Sequence, residues 1–480
     1  MENLLDTLKY WVKLNPEKNL VVDGETRITY GEAYERARRL AGGLRRLGIK
    51  KGMRIANLMY NGHVYYDLYY GLSAAGCVLV PMNYRLADAE LIYQINDAGC
   101  SVLIFDPEFS DVVLRIKDAL ATVKVYVITR GPAAFEGAVD YRELLAAELW
   151  ETEVTENDLF GIYYTGGTTG RAKGVMLSHK NIVSNAVHLI LTTGMRGDHV
   201  ALHSVPMFDL ADGAVNFAVT MVGGSHVTVK AFEPGAVLSA IEKERVTCAL
   251  WVPTMINLLV NYPDVSGYDL SSMRLVFYGA SPIAPDLLKR AIEVFNCQFI
   301  QLYGMTEAGP ILTALLPEEH GRPELLTSAG RQVIGVEVRV VDEQGNDVRP
   351  GEVGEVIARG PNIMMGYWGK PLETETVLRD GWYWTGDLAR IDENHYIYIV
   401  DRAKDMIITG GENVYSVEVE AVLYKHPAVL EAAVVGVPDE KWGEAVKAVV
   451  VVKPGATVAE KELIDFCKQH IASYKAPKSV

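Results

Sequence analysis

The segment YYTGGTTGRAKGVMLSH, Tyr163 to His179, is where this 480-residue chain first offers chemistry. An unbroken run of glycine and threonine, Thr165, Gly166, Gly167, Thr168, Thr169 and Gly170, lies between an apolar strand end and a helical stretch. Small residues let backbone N–H groups close on phosphate oxygens, threonine hydroxyls add donors, and Lys173 adds a positive charge. The spacing is not that of the P-loop G-x-x-x-x-G-K-[ST], because Arg171 follows Gly170 and Gly174 follows Lys173. A single glycine turn reads as a flexible loop; a run this specific reads as a phosphate loop.

Four further blocks set polar residues between apolar runs: YGASP at 278–282, YGMTEAG at 303–309, YWTGDLA at 383–389 and DRAKDMIITGGENVYSVEVE at 401–420. Each has an ordinary reading when taken alone. Tyr303 could be a core aromatic, Thr306 and Glu307 an N-terminal helix cap, and Asp387 a turn residue. GASP is not the G-x-S-x-G of a serine hydrolase, and no Ser-His-Asp arrangement is implied. In this order, however, the five blocks resemble the superfamily of adenylate-forming enzymes: acyl-CoA synthetases, the adenylating domains of nonribosomal peptide synthetases, and firefly-type luciferases. The resemblance covers almost the whole chain.

The resemblance implies a role for each block. ATP would rest on the 165–170 loop with Lys173 at its phosphates, while Gly279, Ala280 and Ser281 would lie along the adenine and Tyr303 would stack on it next to Gly304. Thr306 would hydrogen-bond the α-phosphate, and Glu307, a hard oxygen ligand, would hold Mg²⁺. Asp387 would accept hydrogen bonds from the ribose hydroxyls, and Arg402 would donate to ribose or phosphate. Two half-reactions follow: a carboxylate attacks the α-phosphate and releases pyrophosphate, then the thiol of coenzyme A attacks the acyl-adenylate. Such chemistry needs positioning and charge neutralisation more than a protein nucleophile, so none of the five cysteines is required. Between the halves the C-terminal domain would swing about Lys404. Gly410 and Gly411 would line the pantetheine tunnel, and Trp442 reads equally as a residue near its thiol-side entrance or as a domain-core aromatic.

The acyl pocket of the family would be framed here by Asp209, Leu210, Trp251, Val252, Tyr278, Gly304 and Met305. Most are apolar, which favours a fatty or aromatic acid over an amino acid, with core packing the competing reading for the tryptophan and methionine. The wording of PMFDLADG and GASPIAPDLLKRAIEVF looks closest to bacterial fatty-acyl-CoA ligases, with aromatic-acid ligases next. The rival readings are a carrier-loading adenylation domain or another aryl-acid adenylating enzyme with a different acceptor, a luciferase-like oxygenase, and a nucleotide or acyl-adenylate binding protein with impaired catalysis.

Three departures from the family pattern stand out. Relatives often carry a histidine after P-M-F, where this chain has Asp209, and an aspartate beside an incoming carboxylate repels it unless protonated, paired or turned away. Gly166 and Ala172 replace the usual hydroxyl residue and proline of the phosphate loop. The family's second adenylation lysine, in a P-x-x-x-x-G-K pattern, would follow the final ASYKAPKSV, so a tail beyond Val480 is expected; Lys475 and Lys478 precede that position.

Bulk properties set the surroundings. With 46 Lys plus Arg against 61 Asp plus Glu, a net charge of −15 repels nucleic acid and anionic membrane over most of the surface. Cys77, Cys100, Cys248, Cys297 and Cys467 are odd in number and never form C-x-x-C, which reads as reduced core residues of a cytoplasmic protein. No signal peptide and no apolar stretch of roughly 18 residues is present, which argues against export and integral membrane contact. His179, His203 and His226 show no zinc-ligand spacing. The expected partner is a small-molecule carboxylic acid; a homodimer is the habit of the family.

The elements that must position these residues are of the α/β class. Strand-like RIANLMY, CVLVPMN and SVLIFD alternate with helix-like stretches through Tyr70 and Ala75 and over ADAELIYQINDAG, and Leu275–Phe277 precedes a helix from about Asp286 to Phe295. This predicts a large N-terminal domain of parallel-rich sheets and helices over 1–400, including a short-stranded β subdomain at about 335–400. A junction at 401–404, which the resemblance makes a hinge, then leads to a small α+β domain over 405–480 that the resemblance implies is mobile.

Overall fold

VLVP, VLIF and CALW become strands that are buried on both faces, as a parallel sheet covered by helices requires. The computed structural model describes residues 2–131, 135–166, 171–402, 405–409, 412–439 and 442–480. The chain divides into two compact units: Met1–Leu326 with Gln332–Glu337 and Arg359–Gly381, and Thr327–Arg331 with Val338–Ala358 and Trp382–Val480.

The first unit holds two sheets. One runs Ile311–Leu315, Gln298–Gly304, Leu275–Gly279, Cys248–Trp251, Val200–His203, Ser225–Thr228, Asn19–Asp23, Thr26–Thr29, parallel throughout its middle and antiparallel at these two ends. The other runs Gly366–Tyr367, Lys173–Ser178, Leu159–Thr165, Val78–Pro81, Arg54–Leu58, Val102–Phe105, Val125–Ile128, Val139–Asp140. Helices close the faces. Pro285–Phe295 shows how: Pro285 suits the first turn, where its missing N–H is no loss, Leu288, Ala291 and Phe295 fall on one buried stripe, and Asn296 ends the helix in a left-handed conformation. That stripe joins Trp251, Tyr278 and Phe299 in the core beneath the first sheet.

The second unit contains the antiparallel strands Val353–Arg359, Trp382–Ile391 and Ile397–Arg402. Its C-terminal part is the predicted succession of helix Ser416–Leu423, strands Val429–Asp439 and Gly443–Val452, and helix Glu460–His470, around a core that includes Val419, Val434, Val446 and Leu463. The sequence reading treats 335–400 as one β subdomain, whereas 359–381 groups with the first unit. The physical reason is a strand pairing: Gly366–Tyr367 bonds to Lys173–Ser178. Among the described residues no helix is long and apolar enough to cross a membrane.

Candidate active site

Two strand ends of the first unit bring candidate residues together. Leu159–Thr165 and Lys173–Ser178 form an antiparallel pair in which Thr165 lies opposite Lys173 and Tyr164 opposite Gly174, so the two ends of the glycine-rich segment are held side by side. Gly167, Thr168, Thr169 and Gly170 lie outside the described residues. A Cβ at Gly166 would meet nothing within 4 Å, so the loss of the usual hydroxyl residue there is sterically neutral. Arg171 is engaged by the ring of Tyr93 at 5.1 Å, and Tyr93 Oη donates to the Ala172 carbonyl at 3.0 Å. Lys173 Nζ instead stands 4.9 Å from the ring centroid of Tyr367.

The second strand end is Gln298–Gly304, which leads into a 3-10 turn at Thr306–Ala308. Gly304 has to be glycine, because a Cβ there would lie 1.9 Å from the Pro310 carbonyl oxygen. Beyond the turn, Gly309 adopts φ 71°, and Asn362 Nδ2 donates to the carbonyls of Ala308 at 2.6 Å and Ile311 at 3.1 Å. Met364 N–H donates to the Glu307 carbonyl at 2.9 Å. Residues 362–367 therefore strap the turn, and the strap ends where Tyr367 Oη donates to Glu307 Oε1 at 3.0 Å. Burial and the neighbouring carboxylate push the Tyr367 phenol well above its usual pKa, so it remains a donor. The structure thus brings Lys173 to the ring and Glu307 to the hydroxyl of one tyrosine; Tyr303, Met305 and Thr306, next to Glu307 in sequence, are half-buried.

The neighbouring strand Leu275–Gly279 pairs Gly279 with Leu302, and a Cβ on Gly279 would come within 2.2 Å of the Leu302 carbonyl oxygen. Ala280 then takes φ 66°, which ends the strand abruptly and leaves Ala280 and Ser281 exposed. These features sit at the carboxyl ends of parallel strands, where open α/β sheets place their ligands.

The acyl-pocket residues divide. Trp251 has 0 % exposure, its Nε1 donates to Ser204 Oγ at 3.1 Å and its ring lies 4.9 Å from that of Phe295, so it takes the core-packing reading. Tyr278 is also buried, its hydroxyl 3.1 Å from His320 Nε2 and 3.3 Å from Gln301 Oε1. Leu210 is buried, and Val252 is half-buried. Asp209 caps the helix Leu210–Met221, accepting the Ala211 N–H at 3.0 Å. Its carboxyl is reached by solvent yet hemmed in by protein: desolvation raises its pKa and the Asp212 charge adds to that, against the capping bond.

Below Asp209 the structure holds a network that sequence reasoning missed. Asp212, Asn216 and Thr220 repeat at i, i+4 and i+8 along the buried face of one helix. His203 Nδ1 meets Asp212 Oδ1 at 2.8 Å, His203 Nε2 meets His226 Nδ1 at 2.9 Å, and His226 Nε2 meets Thr220 Oγ1 at 2.9 Å. Burial holds His226 far below the usual imidazole pKa, so it is neutral, with one ring nitrogen donating and the other accepting between His203 and Thr220. The readable signal was the polar stripe in an otherwise apolar helix; its histidine partners come from two strands.

In the second unit, Asp387 lies opposite Arg402 across an antiparallel pair, with Arg402 Nε 3.4 Å from Asp387 Oδ1. Gly386 precedes it at φ 75°, its N–H donated to Glu355 Oε1 at 2.9 Å. Trp442 is 42 % exposed, which is not a core position, and its backbone N–H donates to Asp439 Oδ1 at 2.9 Å. Lys404, Gly410 and Gly411 lie outside the described residues. Lys475 is held by Glu418, with Nζ to oxygen distances of 2.7 and 2.8 Å.

A glycine-rich hairpin turn with a lysine, a carboxylate on a strapped turn, and an abrupt strand end that exposes backbone define a nucleotide-binding α/β enzyme. The AMP-binding enzyme model matches residues 8–368 and the AMP-binding enzyme C-terminal domain matches 418–480, and the chain belongs to this adenylate-forming family. It is 41% identical to a feruloyl-CoA synthase of Amycolatopsis sp over 98% of this chain and 92% of the relative. It is 35% identical to a medium/long-chain-fatty-acid–CoA ligase of Mycobacterium tuberculosis over 98% of this chain and 84% of that one. Among solved structures, the amide bond synthetase of Marinactinospora thermotolerans superposes with TM-score 0.90 at 33% identity, covering 99% of this chain and 94% of that one. The o-succinylbenzoate CoA synthetase of Bacillus subtilis, in complex with its acyl-adenylate, gives 0.86 at 30% identity, covering 100% and 93%.

Proposed function

We infer that the chain is an AMP-forming carboxylate–CoA ligase acting on an aromatic or fatty acid, with the aromatic class to be tried first. The observation that carries this reading is the meeting of Lys173 and Glu307 on Tyr367, a cation and a carboxylate close together as ATP phosphates and their metal require. Among the described residues no group of three or more His, Cys, Asp or Glu could hold a metal. Glu307 with Thr306 fits Mg²⁺, which binds through one or two carboxylates and takes its other ligands from phosphates and water. Mg²⁺ bound with ATP would offset phosphate charge.

In the first step a carboxylate oxygen bonds to the α-phosphorus and the bond to pyrophosphate breaks, with Lys173 and the N–H groups of the 165–170 loop stabilising the charge that moves. In the second, the thiol sulfur of coenzyme A bonds to the acyl carbon, AMP leaves, and the thiol proton passes to solvent. Asp387 and Arg402 as ribose contacts, Lys404 as hinge, and Gly410, Gly411 and Trp442 as the thiol path belong to the same proposal. Support for an aromatic acid comes from the 41% identity to a feruloyl-CoA synthase, against 34–35% for the fatty-acid ligases. All five cysteines are free thiols with pKa values raised by burial, to about 11 in Cys467 and about 12 in the others, which suits a reducing cytoplasm.

The test is coenzyme A-dependent release of AMP from ATP against a panel of hydroxycinnamic, benzoic, fatty and amino acids. Turnover with an aromatic acid and CoA is expected. Tight ATP binding without turnover on any acid would leave the binding-protein reading in its place, and turnover without CoA would point to another acceptor.

A further inference from the structure

Tyr367 lies in none of the five sequence blocks, yet two of them meet on it. The strand Gly366–Tyr367 pairs with the outer strand of the phosphate hairpin, Tyr367 opposite Val175 and Gly366 opposite Met176. Its backbone is fixed from the other side: the Tyr367 N–H donates to Thr374 Oγ1 at 2.9 Å, and Gly366, at φ 131°, sits where a Cβ would approach Thr374 Cγ2 to 2.6 Å. From that anchored position the hydroxyl reaches Glu307 Oε1 at 3.0 Å and the ring faces Lys173 Nζ at 4.9 Å.

The geometry assigns Tyr367 as a positioning residue for adenylation: its hydroxyl takes one oxygen of Glu307 and fixes the plane of the carboxylate, leaving the second oxygen for the Mg²⁺ carried by ATP, while its ring holds the Lys173 ammonium. A free glutamate would lose rotamer entropy on meeting the metal; a glutamate already held by a neutral donor does not. A cation over a tyrosine face is similarly restrained without being neutralised by a counter-ion, so its charge remains available to phosphate. The inference rests on the ligase reading only in naming Mg·ATP as the ligand.

The experiment is calorimetric binding of a non-hydrolysable ATP analogue to the full chain, with Mg²⁺ and with a chelator, alongside melting temperatures. Tyr367→Phe keeps the ring and removes the hydroxyl, and it should weaken binding about tenfold with Mg²⁺, the size of one hydrogen bond to a charged group, and less than about twofold without it. In a Glu307→Gln background the same change should add nothing, as expected if it acts through that carboxylate. Tyr367→Leu, which also releases Lys173, should weaken binding in both conditions. Equal losses with and without Mg²⁺ in Tyr367→Phe, together with a lowered melting temperature, would mark a merely structural tyrosine and overturn the assignment, as would an unchanged Mg²⁺ response. If Tyr367→Phe fails to fold, Glu307→Gln carries the test alone, and full retention of Mg²⁺-dependent binding in it overturns the assignment. A wild-type chain that binds Mg·ATP but activates no acid would remove the ligase reading and leave this one standing; one that binds no Mg·ATP removes both.

Discussion

The Lys173 ammonium stands over the ring of Tyr367, a contact that restrains a cation without neutralising it. Lys173→Ala is therefore expected to lower kcat/KM for the first half-reaction by a factor on the order of 10²–10³, the usual cost of one preorganised donor to a developing charge, read by acid-dependent pyrophosphate exchange. Asp209 makes a second residue-scale prediction. As a helix cap it is replaced by asparagine without loss, whereas Asp209→Ala should cost about 1 kcal/mol in thermal unfolding. Its raised carboxyl pKa keeps it neutral to a higher pH than an ordinary aspartate, and as pH climbs through that value the new charge repels the substrate carboxylate. KM for the acid should rise with pH in the wild type and flatten in Asp209→Asn. The five blocks drew attention to Lys173 and Glu307, but not to the tyrosine that both of them meet, since one Tyr in MMGYWGK carries no local signal. Trp251 shows the opposite failure: a residue type common in pockets turns out to face the core, a matter of which side of a buried strand it occupies.

At the scale of elements, the turn 304–309 is held by backbone contacts too close to admit a side chain. Gly304→Ala must displace the Pro310 carbonyl, and we expect a loss of about 1–3 kcal/mol in denaturant unfolding together with a fall in affinity for ATP larger than that for the acid, because the turn carries Glu307. The alternation of strands and helices was legible because parallel strands read as short apolar runs, and the helix ends announced themselves through Pro285 and Asn296. The buried chain from Thr220 through His226 and His203 to Asp212 was not, because its members come from different elements and meet only when the sheet and helix pack. Removing one member leaves the others buried without partners. Asp212→Ala should cost about 3–5 kcal/mol, measured by chemical denaturation, while a surface control such as Glu343→Ala should change little.

For the molecule as a whole, buried neutral imidazoles tie stability to pH. His179 accepts the Leu4 N–H on Nδ1 at 3.3 Å, and burial lowers its pKa from 6.5 to about 4; burial also holds His226 well below the usual value. A base whose folded pKa lies below its unfolded one leaves the unfolded state with more bound protons, so stability is complete above pH 6.5 and falls as pH drops from 6.5 toward 4. The slope is at most about 1.4 kcal/mol per pH unit for each such group. Urea midpoints across this range should fall in the wild type and fall less steeply in His179→Gln. The interleaving of the two units was beyond the sequence, since it depends on a two-residue strand whose partner lies far upstream. That strand also sets a schedule for synthesis. The hairpin that carries Lys173 emerges early, but its outer edge stays open until Gly366 and Tyr367 arrive, and only then does Glu307 receive its hydroxyl partner. A nascent chain halted short of that point would hold every residue from Thr165 to Gly170 and still lack the Tyr367 contacts, and helpers that shield unpaired strand edges would have a long interval in which to act.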